Sequence, residues 1–157
     1  MTVEARMIQL LMEEHGEIER MLDALETRVA ELGRGEFPTA FFTEALDFFR
    51  DFADGRHHQK EEDVLFPRMI AAGLPSPGGP VDCMLKDHQA GRAHVAAMRA
   101  SLAAAGAGDS EAIETVRSRA TAYIGMLRDH IWKEDNILFP MAEQLVGREE
   151  LELALSR

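Results

Sequence analysis

The sequence predicts an all-α protein, an antiparallel up-and-down four-helix bundle, and three observations lead there. Apolar residues recur at steps of three and four in four long segments. Three short runs rich in Gly, Pro or Asp separate those segments. Aromatics make up only 6% of the 157 residues while Ala, Leu, Met and Glu are plentiful, a balance that favours helix over strand. The length suits one domain, read as residues 1–157, and 46% apolar residues suffice for a substantial core.

The first segment, about Val3 to Leu32, carries Ile8, Leu11, His15, Ile18, Leu22, Leu25, Val29 and Leu32 on one stripe. The second, about Thr39 to Ala72, carries Phe42, Leu46, Phe49, Ala53, His57, Glu61 and Leu65. The third, about Val81 to Ala105, carries Val81, Met84, His88, Gly91, Val95, Met98 and Leu102. The fourth, about Ser110 to Val146, carries Ile113, Val116, Ala120, Tyr123, Leu127, His130, Glu134, Ile137 and Met141. The connections are short, so sequence neighbours are expected to run antiparallel. Pro67 and Pro140 should bend the second and fourth helices or change their direction. The tail after Gly147 leaves room for a short fifth helix.

A formal net charge of −11 repels phosphate backbones and argues against a nucleic-acid partner. No apolar run is long enough to span a bilayer, and no basic amphipathic segment suits a membrane surface. The N-terminus lacks the basic start and apolar run of a signal peptide. With Cys83 as the lone cysteine, an internal disulfide is impossible, and a cytoplasmic location is expected.

The informative feature is where polar residues fall. His15, His57, Glu61, His88, His130 and Glu134 all lie on stripes that should be core. A buried, unpaired imidazole or carboxylate is costly. A metal ion gives all six one reason to be there, since it satisfies nitrogen and oxygen donors together and neutralises buried negative charge. An internal repeat strengthens the reading. His57-His58-Gln59-Lys60-Glu61-Glu62-Asp63-Val64-Leu65-Phe66-Pro67 lines up with His130-Ile131-Trp132-Lys133-Glu134-Asp135-Asn136-Ile137-Leu138-Phe139-Pro140. In each copy the carboxylate follows its histidine by four residues, about 40° beyond one helical turn, so both project from one face. Two such pairs can clamp two ions, each carboxylate bridging.

On these residues, with Glu14-His15 in the first helix and Asp87-His88-Gln89-Ala90-Gly91-Arg92 in the third, the chain resembles the hemerythrin-like, or HHE cation-binding, domain over nearly its whole length. The resemblance implies a bundle holding two iron ions, carboxylate-bridged and oxo- or hydroxo-bridged. Family roles include oxygen binding, oxygen or iron sensing, peroxide chemistry and nitric oxide responses. Two departures separate the chain from oxygen carriers. Arg92 stands where they have a second third-helix histidine, and the last motif is His-x3-Glu where they have His-x4-Asp. In the hemerythrin-like branch, the residue after the second-helix histidine can supply the missing ligand, here His58.

The implied ligand set is His15 and His57 on one iron, His88 and His130 with His58 as an optional third on the other, and Glu61 and Glu134 across both. An open position then receives dioxygen, nitric oxide or peroxide. Zinc or manganese is the rival occupant, and a metal-free polar network the bland one. Ferritin-type sites use Glu-x-x-His pairs and more carboxylates, which argues against a ferroxidase.

His58 is pulled two ways: Asp51 and Asp54 suggest a solvent edge, the resemblance a ligand. Glu62 is expected solvated or beside the ligands, His94 at the boundary, Glu19 on an exposed edge and Cys83 inert. Met12, Tyr123, Met126 and Trp132 are expected to line the core. Three functions stay open: a binding or sensing module for a small ligand, a peroxide-decomposing enzyme, and iron storage. Any signal would pass through a partner protein, and the oligomeric state is left as monomer or homodimer.

Overall fold

The computed structural model describes residues 3–145 and is all-helical there, with four helices and no strand among the described residues. We label them α1 (Val3–Ala30), α2 (residues 39–71), α3 (Pro80–Gly106) and α4 (residues 110–145). The turn-rich runs fall between them as expected. Gly33 ends the turn after α1 with φ 91°, a left-handed conformation that glycine adopts without a Cβ clash. Pro80 opens α3 where its missing N–H has no helical partner to lose. The Asp109 carboxylate accepts the Glu111 amide and caps α4. The expected fifth helix lies outside the described residues.

Helices α2 and α4 are continuous but change winding. In α2, π-helical stretches Phe49–His58 and Glu61–Leu65 interrupt the regular helix, and in α4 one does so at Glu134–Leu138. Pro67 and Pro140 each follow one of these wide turns. A proline ring crowds the carbonyl four residues back and cannot donate to it, and a wider turn with i→i+5 bonding relieves both demands. The helices therefore run on to Ala71 and Leu145.

The wide turns also set which side chains face inward. Phe49, Ala53, His57, Glu61 and Leu65 follow one another at steps of four, and all are buried. In a regular helix each such step overshoots by about 40° and the stripe drifts outward; the π turns take up the excess. In α4 the same device moves the stripe on by one residue. The expected Ile137 is 47% exposed, and Leu138, Phe139 and Ala142 are buried instead.

The core has two apolar layers. One contains Ile18, Leu22, Phe42, Phe49, Met98, Val116 and Leu127, the other Leu11, Leu65, Phe66, Met69, Met84, Leu138 and Phe139. Each fully buried side chain of this size contributes about 1.5–3 kcal/mol. Between the layers lies a belt of buried polar residues: His15 between Leu11 and Ile18, Glu61 just before Leu65, His88 after Met84, and Glu134 just before Leu138.

Candidate metal centre

The belt resolves into two groups of ligand-type atoms, each within 4.8 Å of one another. One comprises His15, His57, Glu61 and Glu134; the other comprises His58, Glu61, His88 and His130. All are buried, both glutamates completely. Glu61 belongs to both groups. Glu134 also reaches both sides, with Oε1 3.2 Å from His15 Nε2 and 3.0 Å from His130 Nε2.

A ring of outer carboxylates orients the imidazoles. Nδ1 of His15 lies 2.7 Å from Asp135, that of His57 2.9 Å from Glu14, that of His88 2.9 Å from Glu62 and that of His130 2.9 Å from Asp87. Asp54 holds His58 Nδ1 at 3.3 Å. An Nδ1–H donating to a carboxylate leaves Nε2 as a lone-pair donor aimed inward. Phe139 stacks on His15 and Phe66 on His88, so the Phe of each Leu-Phe-Pro run packs against a histidine.

The centre has an approximate internal two-fold. One constant shift along the chain carries His15 onto His88, His57 onto His130, Glu61 onto Glu134 and Phe66 onto Phe139. It also carries the contact of Glu14 with His57 onto that of Asp87 with His130, and the contact of Glu62 with His88 onto that of Asp135 with His15. His58 breaks the symmetry. The wide turn that ends at His58 brings it inward beside His57 instead of at the solvent edge, and its ring stacks on His88 with centroids 3.8 Å apart. Arg92 bridges the supports of two histidines here, donating to both Asp54 and Glu62.

Without a cation the groups pull one another apart in proton affinity. Burial, together with the facing charge of Glu134, pushes the Glu61 carboxyl well above the carboxylate range. Burial opposes protonation of His15, but its bonds to Asp135 and Glu134 outweigh this and raise it to about 9. His130 is raised to about 9 in the same way by Asp87 and Glu134, against burial. Burial lowers His58 to about 4. Four buried atoms have no hydrogen-bond partner among the described residues: His57 Nε2, both oxygens of Glu61 and Glu134 Oε2. All four belong to the two groups. Buried lone pairs left unmatched cost free energy that a multivalent cation removes, so the donor set fits such an ion.

The structure thus brings together His15, His57, His58, Glu61, His88, His130 and Glu134. Sequence reasoning missed the orienting roles of Glu14, Asp54, Asp87 and Asp135, and left Glu62 between two readings. Their signal was adjacency: Glu14, Asp87, Glu62 and Asp135 each neighbour a residue of the belt. Two core expectations fail besides Ile137. Met12 is 44% and Trp132 58% exposed. Met12 lies about 100° around the helix from Leu11, and Trp132 about 200° from His130, which turns each away from the centre. Tyr123 is buried and Met126 half-buried; Glu19 is exposed, His94 sits at the boundary 3.3 Å from Arg119, and Cys83 is a free, exposed thiol.

Fold and site together define an all-helical protein with a buried His/Glu cation-binding centre. The hemerythrin HHE cation binding domain profile matches residues 6–142, and the chain belongs to that family. It is also 30% identical over 142 residues to uncharacterised proteins of Mycobacterium bovis and of two strains of Mycobacterium tuberculosis. These alignments cover 89% of this chain and 54% of each relative, so the chain spans about half the length of the curated relatives it matches. No solved structure matches. No helix among the described residues is long and apolar enough to cross a membrane.

Proposed function

We propose that the chain is one hemerythrin-like domain, an antiparallel bundle that holds two iron ions and binds dioxygen, nitric oxide or peroxide for sensing or redox protection. The observation that carries this is the sharing of Glu61 by two buried four-residue groups, with Glu134 also within reach of a histidine from each. His15 and His57 would hold one ion, and His58, His88 and His130 the other, with both glutamates across the pair. Bound iron supplies a redox-active Lewis acid. The protein's own part is to aim five Nε2 lone pairs inward, to match the positive charge with two carboxylates and to flank the centre with two apolar layers.

Five neutral nitrogen donors with only two central carboxylates support ligand binding or redox protection over storage, because a nitrogen-rich site offers little for repeated ion release. Iron-replete expression followed by elemental analysis tests the reading, with about two irons per chain expected. One ion per chain, or zinc taken up in preference to iron, would defeat it. Mixing the diferrous protein with oxygen, and the diferric protein with peroxide, then separates ligand binding from turnover by their spectra.

A further inference from the structure

On the three-histidine side, a cavity of about 280 Å³ opens toward solvent from the His58 and His88 rings. Its walls are largely apolar and include Phe49, Val95, Met126 and Leu127. Gly91 helps to create the space, because a Cβ there would lie 3.3 Å from both Met126 Cε and Tyr123 Cε1. Tyr123 lines the same cavity, and its side chain is 3% exposed. Its hydroxyl is not among the fully buried atoms left without a partner, and with Tyr123 on the cavity wall it is the polar group that a guest would meet there.

The other half of the molecule is built differently at the matching positions. The two-fold shift places buried Ile18 against Gly91 and buried Ile131 against His58. The depression on that side has no aromatic or methionine wall apart from Trp132, and Glu19, Asp23 and Arg128 line it with Ile131.

The volume exceeds what a diatomic ligand needs, since an apolar cavity of about 150 Å³ already holds benzene. The aromatic side chains of Phe49 and Tyr123 and the Met126 thioether on the wall suit an aromatic guest. An anion has no free cation to meet, because Arg50, Arg92 and Arg99 are already engaged by Asp51, Asp54 and Asp47. We propose that this cavity binds a small, uncharged aromatic molecule bearing one hydroxyl, with the ring between the apolar walls and the hydroxyl on Tyr123. Binding there does not depend on which small ligand the metal centre takes.

Calorimetry on the iron-loaded protein, with p-cresol and toluene as matched probes, tests the assignment. Both should bind once per chain, p-cresol about five- to tenfold tighter, the worth of one net hydrogen bond. Tyr123→Phe should abolish that difference and leave toluene unchanged. Val95→Phe, which brings a ring in from the cavity wall, should weaken both probes at least about tenfold at unchanged helix and iron content. Gly91→Ala, a smaller intrusion, serves if Val95→Phe folds poorly. No binding of either probe at millimolar concentration overturns the proposal. So does binding that survives the filling variant, or a new ferric charge-transfer band that puts p-cresol on iron.

Discussion

Buried Ile18 and Ile131 stand in the half of the centre that holds His15 and His57, whereas Gly91 and His58 occupy the matching positions in the half that holds His88 and His130. Glu19 is exposed on the first side; its counterpart Arg92 ties Asp54 to Glu62 on the second. The shared frame consists of four histidines, two central glutamates and four orienting carboxylates. The differences are grouped on one side and bring a third imidazole, its own support and a cavity. On the proposed reading, the symmetric parts hold the ions and the asymmetric parts shape the approach to them.

The largest expected effect tests the shared frame. Glu61→Ala should leave the protein nearly iron-free, because its carboxylate belongs to both groups, whereas Glu62→Ala removes only the support of His88. Elemental analysis of the two variants distinguishes them, and equal losses would break the two-sided scheme. Next in size, chelation should lower the melting temperature by several degrees or more, since it returns four unmatched buried atoms to the core. A metal-free protein that melts with the loaded one would mean the polar belt satisfies itself.

The comparison sharpens with His57→Ala against His58→Ala. The first leaves its side with one histidine and should lose that ion. The second leaves two histidines, so both ions should stay while the ferric charge-transfer spectrum shifts and azide binds more readily. Identical spectra and azide affinity for His58→Ala and the parent would make His58 a mere packing residue.

Protons give a smaller but signed effect. In the metal-free form His15 and His130 hold their protons up to about 9, and Glu61 is pushed well above its usual range. Metal ligation needs these groups deprotonated, so loading at pH 7 should release protons and affinity should fall with pH. Calorimetry in two buffers of different ionisation enthalpy measures the release. The raised pair stabilises the metal-free fold fully below about 6.5, and that contribution is lost as pH rises through about 9. His58, lowered to about 4, acts oppositely: its contribution is present above about 6.5 and lost as pH falls toward 4. A metal-free melting temperature that rises steadily from pH 7 to 9.5 contradicts this assignment. Smallest of all, Arg92→Gln should keep both ions and shift the charge-transfer band only slightly, because Asp54 and Glu62 lose a shared donor and not their histidines.

The sequence by itself determined the number of helices, nearly all their limits and the six polar positions of the belt. Periodic burial follows from helical geometry, and a histidine or glutamate on an apolar stripe is visible without coordinates. It also signalled Pro67 and Pro140 as disturbances, but not their outcome. Only the tertiary structure decided that wide turns absorb them, that the α4 stripe therefore moves from Ile137 to Leu138, and that His58 turns inward beside His57. Which histidine each of Glu14, Glu62, Asp87 and Asp135 supports was likewise out of reach, since each of those contacts joins different helices. The cavity beside Tyr123 depends on how Gly91 of α3 meets α4, a packing outcome that no single stripe encodes.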